Sequence, residues 1–165
     1  MRFDSMTSLR EDYDFTGFRP MKEIFKGHST VDKVQGVYLV LYPHLTKPVF
    51  INPGTGAFLK GESPNVDTAI LESRWVEDTV VLYIGKGGGD EIKATLQIRL
   101  MQYAGFGRGK KYAHRGGRYI WQIQNAHELV VCWKHFSEDP RTVEKRYIQL
   151  FKDRYGKPPF ANING

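Results

Sequence analysis

Two charged residues sit where the hydrophobic periodicity asks for apolar ones. In residues 91–103 (EIKATLQIRLMQY), Ile92, Leu96, Leu100 and Tyr103 recur at helical spacing. Arg99 falls three residues after Leu96 and four before Tyr103, within or beside that stripe. In residues 140–155, Val143, Tyr147, Leu150 and Phe151 make a second stripe, and Glu144 shares the row of Ile148, Phe151 and Tyr155. An ionised group on a buried face is costly unless it is paired or bound to something. Three readings are open. A long Arg at a helix edge can reach water; the two residues can pair as a structural ion pair; or they do chemistry. A carboxylate and an arginine are what phosphodiester hydrolysis uses. The carboxylate holds Mg²⁺, a hard cation that prefers oxygen ligands. The guanidinium is a forked donor matched to phosphate oxygens. A further group must aim a water in line, and tyrosine can do this if nearby charge lowers its pKa from about 10.

The charge is distributed to suit a polyanion. The net charge is +6, yet residues 1–85 carry 9 Lys/Arg against 11 Asp/Glu, and residues 86–165 carry 15 against 7. The densest stretch, GRGKKYAHRGGR (107–118), holds Arg108, Lys110, Lys111, Arg115 and Arg118 with no acid. Its four glycines allow close approach to a phosphate backbone. A solvated basic loop is the plainer reading of the same residues.

These residues need elements to hold them. Residues 36–43 (GVYLVLYP) and 79–84 (TVVLYI) read as strands, the second closed by Gly85. Residues 43–65 are rich in Pro and Gly, and a short helix capped by Asp67 is expected at 68–76. Asp90 is the expected N-cap of the helix carrying Arg99. Residues 119–123 and 128–133 read as two strands of a hairpin through 124–127. The helix carrying Glu144 is the best marked, with Asp139 as cap, Pro140 in its first turn, and Gly156 and then Pro158 past its end. Residues 1–35 carry weak order signals. The chain of 165 residues fits one domain. Cys132, the single thiol, reads as a small buried hydrophobe; with no disulfide possible, it suits a reducing cytoplasmic setting. No apolar run reaches membrane-spanning length, and no secretion signal is expected.

The two strands end in Gly36-Val37-Tyr38 and Tyr83-Ile84-Gly85, which together resemble the signature of the GIY-YIG nucleases. A helix with Arg99 and Tyr103 follows, then a helix with Glu144, then Pro158-Pro159-Phe160-Ala161-Asn162, similar to the family's terminal Asn motif. The resemblance implies an α/β sandwich with a small antiparallel three-stranded sheet flanked by helices. It implies that Tyr38 activates or positions the attacking water with Tyr83 as partner. Arg99 would contact the scissile phosphate, Glu144 would be the single protein ligand of Mg²⁺ (or Mn²⁺), and Asn162 would organise the site. Gly36 and Gly85 would be structural. Lys86 and His114 are further candidates at the phosphate, although a solvated Lys and a loop His are the plainer readings. In the family the two tripeptides are joined by a short turn. Here 44 residues (39–82) separate them, which predicts an insertion at about 43–77; packing on the domain is its plainest reading, with reading DNA, covering the site and mediating dimerisation open beside it.

The expectation is therefore a metal-dependent endonuclease acting on DNA, with RNA open, as a monomer or a homodimer. Two readings compete with it. One is a DNA- or RNA-binding module of the same fold that does not cut. The other is a scaffold in which Arg99 and Glu144 form an ion pair.

Overall fold

A computed structural model describes residues 1–25, 31–44, 46–58, 61–89, 94–112 and 116–163. Among these residues five α-helices and four strands follow one another as α1 (Met6–Glu11), β1 (Thr16–Pro20), α2 (Met21–Phe25), β2 (Gly36–Leu41), α3 (Thr68–Arg74), β3 (Val81–Gly87), α4 (Leu96–Phe106), β4 (Val130–His135) and α5 (Pro140–Tyr155). The strands form one antiparallel sheet in the order β1-β4-β2-β3.

Alternation along β2 separates two cores. Val37, Leu39 and Leu41 face one side with Val143 and Phe151 of α5, beside Phe3, Leu9 and Phe15. Tyr38 and Val40 face the other with Leu96, Leu100 and Tyr103 of α4. Helices thus cover both faces of the sheet, so its central strand is buried along its whole length.

The structure corrects four expectations. The sheet has four strands, because β1 lies in the segment read as weakly ordered. Its sequence, TGFRP, hides the strand. Gly17 and Phe18 take φ of +92° and +50°, and the register slips between Thr16 and Arg19. The bulge removes the two-residue period, and Gly17 lies so close to the Trp133 ring that a Cβ would come within 2.3 Å of it. Secondly, residues 119–123 are no strand. Arg118–Gln122 is a buried 3₁₀ turn entered through Gly117 at φ +71°. Ile123 makes a single bridge to Phe50, and β4 pairs with β1 and β2 instead of closing a hairpin. A short buried apolar run does not distinguish these outcomes. Thirdly, β3 runs on through Gly85 to Gly87. Fourthly, α4 starts at Leu96, with the Thr95 hydroxyl accepting from the Ile98 N–H at 3.4 Å; Asp90 and Ile92 lie outside the described residues. The expected caps of α3 and α5 are present, with Asp67 accepting from Ala69 N, Asp139 from Thr142 N, and Gly156 at φ +74° ending α5.

The described part of the long β2–β3 connection packs on the domain. Buried Gln122 is its anchor. Its amide donates to the carbonyls of Ile51 (3.1 Å) and Val66 (2.9 Å), and its oxygen accepts from Val66 N (2.8 Å). Phe50 stacks on Phe160 at 5.5 Å between centroids, and Trp75 meets Phe160 edge-on at 5.9 Å.

Candidate active site

The site forms where β2 and β3 pair between α4 and α5. Register places Tyr38 opposite Gly85. The Tyr38 ring covers that glycine: a Cβ on Gly85 would lie 2.5 Å from Tyr38 Cζ and 2.6 Å from its hydroxyl oxygen. Gly36 is equally confined, since a Cβ there would meet the Lys134 carbonyl at 2.2 Å and Leu96 Cδ1 at 2.9 Å. Tyr38, Tyr83 and Tyr103 form a triangle of rings, with centroids 5.9 Å (38–83), 6.1 Å (38–103) and 5.5 Å (83–103) apart. The Tyr103 hydroxyl donates to the Gly117 carbonyl at 2.6 Å. The Tyr38 and Tyr83 hydroxyls lie within hydrogen-bonding reach of each other.

Tyr38 is 1% exposed and Tyr83 7%. Burial raises both phenol pKa values, and the Glu144 charge raises them further against the opposing pull of Arg99. The net direction is upward for both, so both hydroxyls keep their protons at neutral pH.

Glu144 sits half-buried at the start of α5. Burial raises its carboxyl from 4.5 to about 7, opposed by the charges of Lys86, Arg99, Arg141 and Lys145 in that order. Lys86 lies two residues beyond Ile84 on β3, hence on the face that α5 covers. Among the described residues Glu144 has no hydrogen-bond or ion-pair partner. Arg99 donates to Gln102 Oε1 at 3.2 Å and forms no ion pair with Glu144. The structural ion pair weighed from sequence is absent, and each group's field still reaches the other.

Asn162 is buried, 6% exposed, and clamps β3 between Tyr83 and Gly85. Its oxygen accepts from Ile84 N at 2.9 Å and its amide donates to Ile84 O at 2.8 Å. Ala161 N adds a bond to the Leu82 carbonyl at 2.8 Å. The segment after α5 therefore covers the free edge of β3, with a side-chain amide standing in for a strand's backbone.

The basic loop approaches the same place. Gly116 lies over Tyr83, where a Cβ would come 2.6 Å from the hydroxyl oxygen, and Gly117 N donates to the Ala161 carbonyl at 3.2 Å. Arg108, Lys110 and Lys111 are exposed and Arg118 is half-buried, its Nε without a hydrogen-bond partner among the described residues. His114 and Arg115 lie outside the described residues. A cavity of about 580 Å³ bounded by Met21, Ile51, Trp121 and Ala126 touches the loop at Arg108 but includes none of the tyrosines, Arg99 or Glu144.

Of the residues singled out from the sequence, the fold brings Tyr38, Tyr83, Arg99, Glu144, Asn162 and Lys86 to one region. Sequence reasoning missed Gln122 and Arg74, whose roles depend on contacts more than fifty residues away in the chain. Among the described residues no three His, Cys, Asp or Glu side chains cluster as a metal site. No helix among them is long and apolar enough to cross a membrane. Compared with protein-family models, curated proteins and solved structures, the chain matches none.

Proposed function

We propose that the chain is a metal-dependent endonuclease of the GIY-YIG type that hydrolyses DNA phosphodiester bonds. The observation that carries this reading is the convergence on Glu144, within electrostatic reach, of Tyr38, Tyr83, Lys86 and Arg99 from β2, β3 and α4. The elements that hold them, a mixed α/β layering with helices on both faces of an antiparallel sheet, are compatible with the sandwich that the sequence resemblance implies.

The residues present fit a divalent cation. Glu144 is a half-buried carboxylate without a partner among the described residues, held near neutrality by burial, which is the state a hard cation would relieve. Glu144 would hold Mg²⁺ or Mn²⁺, which supplies Lewis-acid polarisation of the phosphate when bound. Arg99 contacts the scissile phosphate with its fork. Lys86 adds positive charge on the Glu144 side. The Tyr38 hydroxyl, protonated, orients the attacking water as a hydrogen-bonding group, and Tyr83 sets the direction of that hydroxyl. The basic loop holds the nucleic-acid backbone through Arg108, Lys110 and Lys111. One such site serves one strand, so a double-strand cut calls for two copies of the chain. The cytoplasm is the compartment this reading assumes.

The test is supercoiled plasmid incubated with Mg²⁺ or with EDTA, beside Glu144→Ala. Nicking that requires Mg²⁺ and disappears in Glu144→Ala supports the reading. Salt-sensitive binding without any cutting overturns it in favour of a non-catalytic binding module, and a single-stranded RNA arm reads the choice of nucleic acid.

A further inference from the structure

Arg74 ties the β2–β3 connection to the site. Arg74, the last residue of α3, donates from Nε to the Phe160 carbonyl at 3.0 Å and from Nη2 to the Asn162 carbonyl at 2.8 Å. A guanidinium offers parallel donors in a rigid fork, which here spans two carbonyls two residues apart. The same guanidinium carbon lies 5.7 Å from the centroid of the Tyr119 ring. The ring of Phe160 is held between Phe50 and Trp75, both from the β2–β3 connection.

The peptide fixed in this way carries the bonds that define the site. Its Asn162 side chain engages Ile84 in both directions, between Tyr83 and Gly85. Its Ala161 carbonyl accepts from Gly117, beside the glycine that covers the Tyr83 hydroxyl. A continuous path therefore runs from α3 through Arg74 to residues 160–162. From there it divides to the Tyr83 segment of β3 and to the basic loop. We infer that Arg74 is a positioning residue that sets the register of Asn162 against Ile84, which makes the β2–β3 connection an integral part of the site. Its consequence for catalysis rests on the nuclease reading above; its consequence for Ile84 does not.

The variant is Arg74→Lys, which keeps the charge and loses the rigid planar fork that aims one donor at each carbonyl. Arg74→Gln serves as the second variant if the first does not fold. Three quantities are read on the full chain: kcat and KM on plasmid with Mg²⁺, amide hydrogen exchange by NMR, and the thermal midpoint. The expected result is a kcat lower by roughly tenfold to a hundredfold, the cost of a small misplacement of reacting groups. KM stays within about twofold, because the groups that bind the backbone are untouched. Exchange speeds at the amides of Ile84 and Gly117 and not at Val131 or Cys132 in β4. A merely structural role would speed exchange throughout the sheet and lower the midpoint in parallel. Unchanged exchange at Ile84 together with unchanged kcat overturns the inference and leaves the nuclease reading standing. If the parent chain does not cut at all, the nuclease reading fails and exchange at Ile84 alone decides the role of Arg74.

Discussion

The Tyr38 hydroxyl lies over the backbone of Gly85, at a distance where a Cβ would sit 2.6 Å from its oxygen. The tyrosine reaches that place because the residue opposite it on β3 has no side chain. Gly85→Ala should therefore be destabilised by about 1–3 kcal/mol, the usual cost of overpacking a rigid core. It should also lose most activity, because the ring that must move is the one proposed to aim the water. Urea unfolding and plasmid nicking measure the two effects. A fully active, fully stable Gly85→Ala would show that Tyr38 does not need its observed position.

Asn162 offers a sharper stability test. Its two bonds satisfy the N–H and the carbonyl of Ile84 on the edge of β3 that no other strand pairs. Asn162→Ala leaves both groups without these partners and should cost on the order of 2–4 kcal/mol. Asn162→Asp keeps the acceptor but sets a carboxylate against the Ile84 carbonyl, so it should cost at least as much. Chemical denaturation of the two variants side by side checks the order.

Parts of this arrangement were legible in the sequence because they depend on local chemistry. Asp139, Pro140 and Gly156 bound α5 whatever packs against it, and the anomalous Glu144 stands out against its apolar row. The run of β-branched and aromatic residues in β2 likewise marks a strand with both faces covered. Other parts depend on tertiary partners. The strand β1 exists because β4 pairs with it across a bulge, and Gly17 and Pro20 conceal it. The condition set for a tyrosine base, a pKa lowered by nearby charge, depends on the depth of burial of Tyr38, which packing decides and the sequence does not show. Arg74 is a basic residue in the last turn of a short helix, and nothing within its own neighbourhood points to carbonyls 86 and 88 residues away.

Glu144 should trade stability for function. Its carboxyl is raised from 4.5 unfolded to about 7 folded, so the folded protein holds the proton more tightly. The stability that this supplies is fully present below about pH 4.5 and is lost as pH rises through about 7. Glu144→Gln removes the buried charge, so it should be more stable than the parent at pH 8, by on the order of 2 kcal/mol, and no more stable at pH 4. Thermal unfolding at the two pH values reads this. Added Mg²⁺ at pH 8 should raise the parent's midpoint and leave that of Glu144→Gln unchanged.

The exposed cations of the basic loop should govern binding rather than chemistry. Replacing Arg108, Lys110 and Lys111 by Ala should weaken binding to any DNA sequence alike. It should also flatten the dependence of log K on log salt by roughly 0.9 for each phosphate contact removed. The rate at saturating DNA should change little. Fluorescence anisotropy across a salt series, paired with single-turnover cutting, separates the two. A lost rate with an unchanged salt slope would place these residues at the reacting phosphate instead.

The pH dependence of cutting should identify which group titrates. Tyr38 and Tyr83 both have pKa values raised by burial, so neither supplies a transition near neutrality. Glu144, raised to about 7, does. The carboxylate binds a cation and the carboxylic acid does not, so the rate should rise with pH through Glu144 and then level off. A metal competes with the proton for the same oxygens, so raising Mg²⁺ must move the midpoint of that rise to lower pH. Single-turnover rates measured from pH 5 to 9 at low and high Mg²⁺ test this, with Tyr38→Phe alongside. Tyr38→Phe should lower the plateau by roughly tenfold to a hundredfold, the cost of a misplaced attacking water, and leave the midpoint in place. A midpoint indifferent to Mg²⁺ would remove Glu144 as the ligand. A midpoint that moved in Tyr38→Phe would mean that the phenol itself titrates during turnover.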